Sequence, residues 1–125
     1  MKNEYSSYIF DFERLEVYKL GINFANEVIG VVKKLPTDLR FSLGNNFIRA
    51  SISIVSNIAE GSGKKSKKEK ILFYGYALNS ARECIPTITI LYLQKEIDKT
   101  GKDSLRATCI KICNMLGKLI GSVKQ

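Results

Sequence analysis

Between Lys64 and Lys70 five lysines occupy seven positions, with only Ser66 and Glu69 between them. Ammonium groups packed this closely favour a partner that brings negative charge, and phosphate at the start of a helix is the natural one. The preceding residues, Gly61-Ser62-Gly63, suggest a phosphate-binding loop but do not form one. The first glycine of that motif would fall at Ile58, Lys65 stands where Ser or Thr must follow the lysine, and the flanking segments carry a helical pattern. The chemistry offered is electrostatic binding rather than bond making.

Catalysis has little to draw on. The chain has no histidine, which excludes Ser-His-Asp, Cys-His and histidine-metal sites. Glu13, Glu16 and Glu27 read as solvated helix faces, and Glu69 is committed to a helix cap. Cys109 and Cys113 share a helical face, yet without further ligands they read as buried apolar thiols. We therefore expect a non-enzymatic protein with no cofactor and no metal.

The net charge of +8 is unevenly distributed. Residues 1–60 carry seven basic and seven acidic side chains, residues 61–98 seven and four, and residues 99–125 six and one. A one-sided excess makes a directed field that attracts a polyanion. Nucleic acid is the expected partner, with Lys64, Lys65, Lys67, Lys68, Lys70, Arg106, Lys111 and Lys118 as candidate contacts on one basic face. Such contacts hold the backbone without reading sequence. Tyr74 and Tyr76 lie near enough to stack on bases, although core packing is the better reading for Tyr74.

Four amphipathic segments must position these groups. Leu15, Tyr18, Ile22, Ala25, Ile29 and Val32 step by three and four, beside a second line through Val17, Phe24, Val28, Val31 and Leu35, predicting a helix over 12–34. Leu43, Phe47, Ala50, Ile54, Asn57 and Ile58 form the inward line of a second, over 37–60, that Gly61 closes in a left-handed conformation. Asn57 is expected to satisfy its amide inside the bundle and fix register, and Glu60 to pair with Arg49 or a neighbour. Ser66 and Glu69 have capping-box spacing and open a third helix over 66–96, kinked near Pro86. A fourth, over 103–123, starts from Asp103 or Ser104 and follows Leu105, Cys109, Ile112, Leu116, Leu119 and Val123.

These segments predict one all-α domain, an antiparallel up-and-down four-helix bundle over residues 1–125. Every segment carries more than one apolar line, more than a small core must bury, so self-association is expected. No apolar run approaches the ~20 residues of a membrane span. The first eight residues lack the apolar region of an export signal, and three cysteines fit reduced thiols, so the expected location is the cytoplasm.

Phe12-Glu13-Arg14-Leu15-Glu16-Val17-Tyr18-Lys19, Arg49 through Gly61 with its Ser56-Asn57-Ile58-Ala59-Glu60-Gly61 run, and Ser66-Lys67-Lys68-Glu69 together resemble the bacterial four-helix-bundle family of 23S rRNA intervening-sequence proteins. The resemblance covers the first three helices in order, and the fourth matches in character only. It implies a ring-shaped homopentamer. The chain is also similar to the accessory variability proteins of diversity-generating retroelements, which implies RNA or DNA binding and a reverse transcriptase as a possible partner. A protein-interaction scaffold of that kind is the alternative to nucleic-acid binding. Many relatives carry arginine where Ile48 stands and proline where Val55 stands.

Overall fold

The computed structural model describes residues 4–125; Met1 to Asn3, the start of the segment read for an export signal, lie outside the described residues. Four long helices, α1 (Glu16–Lys33), α2 (Asn45–Ser62), α3 (Lys67–Leu93) and α4 (Lys99–Lys124), make up the molecule, with no strand among the described residues. Neighbours pack in the circuit α1, α2, α3, α4 and back to α1. The chain is an all-α four-helix bundle.

The boundaries follow local chemistry. Helix α1 begins at Glu16 rather than Phe12, because Leu15 is extended (φ −69°, ψ 130°). The preceding Asp11–Arg14 is a separate 3-10 turn, closed by Phe10 N–H donating to Glu13 Oε1 at 2.9 Å. After Pro36, a turn at Thr37–Leu39 and a wider π-helical turn at Arg40–Gly44 lead straight into α2. The wide turn lets the chain press against α1: a Cβ on Gly44 would lie 2.7 Å from Val32 Cγ1.

Gly61 does not close α2 in a left-handed conformation. No described glycine has positive φ, and α2 continues to Ser62 with Gly63 as its cap (φ −81°). Gly61 is instead a contact point, where a Cβ would meet the Tyr74 ring at 2.8 and 2.9 Å. Helix α3 passes through Pro86 without interruption. It ends at Leu93, short of the expected 96, because Lys95 turns left-handed (φ 63°). Lys95 N–H then donates to Tyr92 O and Glu96 N–H to Leu91 O, each at 2.9 Å, the double bond of a Schellman ending. Helix α4 starts four residues earlier than 103, since Asp98 Oδ1 accepts the Gly101 N–H at 2.7 Å.

Phe24, Val28, Phe47, Ile54, Ile58, Ile88, Leu91, Ile112 and Leu116 fill the core, with Cys84 and Cys109 between α3 and α4. On α1 the buried side chains are Val17, Phe24 and Val28 from the line read as flanking, together with Ala25 and Val32 from the main seam. Ile22, placed on the main seam from its spacing, is exposed. Cys109 is buried against Cys84 of α3, and the neighbouring Cys84 thiol and burial push its pKa far up.

Candidate nucleic-acid interface

The short connection from α2 to α3 places the five lysines at one corner of the bundle, but it does not leave them equivalent. Lys70 Nζ donates to the carbonyls of Ser62 at 2.8 Å and Gly61 at 3.5 Å, which closes the end of α2. A cation there also suits the negative end of the helix dipole. Lys70, predicted as a nucleic-acid contact, is thus engaged in holding the corner together. Lys64 lies 3.9 Å from Glu60 Oε2 and 5.0 Å from the centre of the Phe73 ring. Lys67 Nζ donates to the Gln125 carbonyl at 2.6 Å and brings the end of α4 to the start of α3. Lys65 and Lys68 are exposed and form no ion pair among the described residues.

Ser66 builds the α3 start from which these side chains project. Its Oγ accepts the Glu69 N–H at 3.1 Å. The Glu69 carboxylate takes the Ser66 hydroxyl at 3.2 Å rather than reaching the backbone, so the reciprocal half of the capping box is replaced by a side-chain bond. The amides of Lys67 and Lys68 remain without helical acceptors, as the first turn of any helix requires.

The α4 cations divide by height along the bundle. Lys118 borders a cleft with Leu15, Glu16 and Val17, at the end of the molecule that carries the lysine corner. Lys111 sits further along, beside Glu16, Lys19 and Asn23. Arg106 lies roughly 27 Å from the α4 terminus by helical rise, towards the opposite end. There Lys99 and Lys102 pair with Asp103 at 2.8 and 3.7 Å, and Lys102 also covers the Tyr92 ring at 4.3 Å. The single basic face expected from the sequence is therefore divided: Lys64 to Lys68 occupy the α2–α3 corner, Lys118 lies at the same end in the cleft against α1, and Lys111 and Arg106 stand further along. Lys124, not among the candidates, is in the last turn of α4, next to Gln125 whose carbonyl accepts from Lys67.

The remaining candidates are structural in geometry. Asn57 Nδ2 donates to Ser53 O at 2.9 Å and Ser53 Oγ at 3.0 Å, and Ser53 Oγ meets Ser80 Oγ at 2.9 Å. This chain of polar groups ties α2 to α3. The Ser53–Ser80 link was missed in the sequence, because a pairing across 27 residues has no local signature. Arg49 does not reach Glu60; its guanidinium bonds Asn46 Oδ1 one turn back. Tyr74 is buried, and burial pushes its phenol pKa up against the smaller opposing pull of a hydrogen bond to Ser62. Tyr76 is exposed, edge-on to Phe73 at 5.5 Å.

Among the described residues no group of three or more cysteines and carboxylates could hold a metal, and no helix is long and apolar enough to cross a membrane.

A crystal structure of a protein with unknown function from the S23 ribosomal protein family of Bacteroides thetaiotaomicron superposes with a TM-score of 0.78 at 23% identity. The match covers 84% of this chain and 95% of that one, and at such identity it is a likeness of fold. No curated protein matches. A family match extends over residues 13–118, from the 3-10 turn to the final turns of α4. The chain belongs to the 23S rRNA-intervening sequence protein family.

Proposed function

We propose that the protein binds nucleic acid without catalysis, holding RNA or DNA phosphates at the α2–α3 corner. The observation that carries this reading is the exposure of Lys65 and Lys68 at the α3 start, unneutralised by any carboxylate within ion-pair distance among the described residues. Lys64, Lys67, Lys118 and Lys124 extend the positive field around the same end of the bundle. Changing Lys65, Lys67 and Lys68 together to glutamine should weaken binding of RNA and duplex DNA at least tenfold at low salt, as measured by fluorescence anisotropy. Unchanged affinity removes the corner from the interface.

The working form is an oligomer, a ring-shaped homopentamer by family resemblance. Ile22, Ile52, Leu72, Ile90 and Ile110, exposed on all four helices, support an apolar contact with further copies. A ring would present the corner several times and raise avidity without new contacts. The same exposed residues favour a second reading, a docking scaffold, for which the resemblance implies a reverse transcriptase of a diversity-generating retroelement as the partner. The three free thiols fit action in the reducing cytoplasm.

A further inference from the structure

The residues before α1 form an aromatic ladder with no role in the core. Phe12 packs edge-on to Tyr18 at 5.1 Å, Phe10 stacks on Phe12 at 5.5 Å with ring planes 22° apart, and Tyr8 meets Phe10 edge-on at 5.1 Å. Tyr18 packs against the core and Phe12 is half-buried, whereas Phe10 is 55% and Tyr8 66% exposed. The backbone beneath is held in place: Phe10 N–H bonds Glu13 Oε1, Glu13 N–H bonds Phe10 O at 3.0 Å, and Leu15 N–H bonds Phe12 O at 3.1 Å. The rings thus climb from the core into solvent on a closed turn.

This ladder stands at the lysine end of the bundle. Its 3-10 turn packs on α2, whose last turn leads into the corner. The residues just after it, Leu15 to Val17, share a cleft with Lys118, and the end of α4 is bonded to Lys67. The start of α1 lies beside the end of α2, so the ladder and the lysines share one end of the bundle. We propose that the outer rings, Tyr8 and Phe10, form a stacking platform for unpaired bases, so that this end of the molecule takes single-stranded nucleic acid in preference to duplex. The cations hold the backbone, and the ring faces accept bases that a duplex keeps stacked on one another. A polyanion is the occupant that both features fit, since the neighbouring lysines oppose the approach of an identical basic end.

The inference rests on the nucleic-acid reading, and the test separates the two. Anisotropy titrations would compare an oligouridylate of about 20 nucleotides with a duplex of equal length. Tyr8→Leu combined with Phe10→Leu keeps apolar bulk but removes the π faces; circular dichroism and light scattering check that helicity and mass are unchanged. The double variant should lose about tenfold or more of its single-strand affinity with duplex affinity unaltered, and Tyr8→Phe should bind as the parent does. Equal affinity of parent and double variant for the oligouridylate overturns the platform, as does an equal loss on both ligands. A fall in oligomer mass would overturn it in favour of a second copy as the occupant. If the parent binds duplex but not single strand, the platform fails and the lysine reading survives; if it binds neither, both fail.

Discussion

Single residues at the corner have divided roles that their identity alone does not reveal. Five lysines look alike in sequence, yet Lys70 spends its ammonium on the carbonyls of Gly61 and Ser62 while Lys65 and Lys68 stand free of ion pairs among the described residues. Ser66 and Glu69 were legible because a cap depends on spacing within one turn. The reason for glycine at position 61 was not, because it lies in the Tyr74 ring on another helix. Gly61→Ala should destabilise the fold by roughly 1–3 kcal/mol, measured by urea denaturation, through overpacking against Tyr74. Tyr74 also gives a pH signature. Its raised pKa means the folded chain keeps the phenolic proton where the unfolded chain has lost it. Stability from this group is therefore full below the unfolded value near 10 and falls as pH rises from there through the folded value. Tyr74→Phe should show a shallower alkaline loss of stability in denaturation series run across that window; an identical slope would remove Tyr74 as the cause.

At the scale of elements, the apolar periodicities revealed four helices and their order, since amphipathic spacing is a property of each helix alone. Which apolar residues face the core depends on the neighbours, so on α1 Val17, Phe24 and Val28 from one line and Ala25 and Val32 from the other are inside while Ile22 faces out. Ends were least legible where an unusual residue sets them. Lys95 occupies a left-handed position that glycine adopts without penalty, and it closes α3 through the Schellman pair of bonds. Lys95→Gly should therefore stabilise the protein by about 1 kcal/mol in the same denaturation assay. Its position at the end opposite the lysine corner means that nucleic-acid affinity should not change. The aromatic turn before α1 was missed for a related reason: Phe12 fits the helical pattern, and only the extended Leu15 separates the ladder from α1.

The whole molecule places an electrostatic cluster at one end of a bundle whose sides retain exposed isoleucines and leucines. Charge asymmetry along the chain was plain in the sequence, but its shape was not. Antiparallel packing brings Lys118 and Lys124 to the same end as the corner and carries Arg106 roughly 27 Å from the α4 terminus. Arg106→Gln should accordingly weaken binding far less than the corner triple variant, in parallel titrations. A phosphate contact made by Lys65, Lys67 and Lys68 must show in the slope of log affinity against log salt. The parent should bind duplex DNA with a steep negative slope, and the triple glutamine variant should reduce its magnitude by up to about 2.7 if each lysine of one corner contacts one phosphate. Parallel lines for parent and variant, or an affinity indifferent to salt, would contradict it.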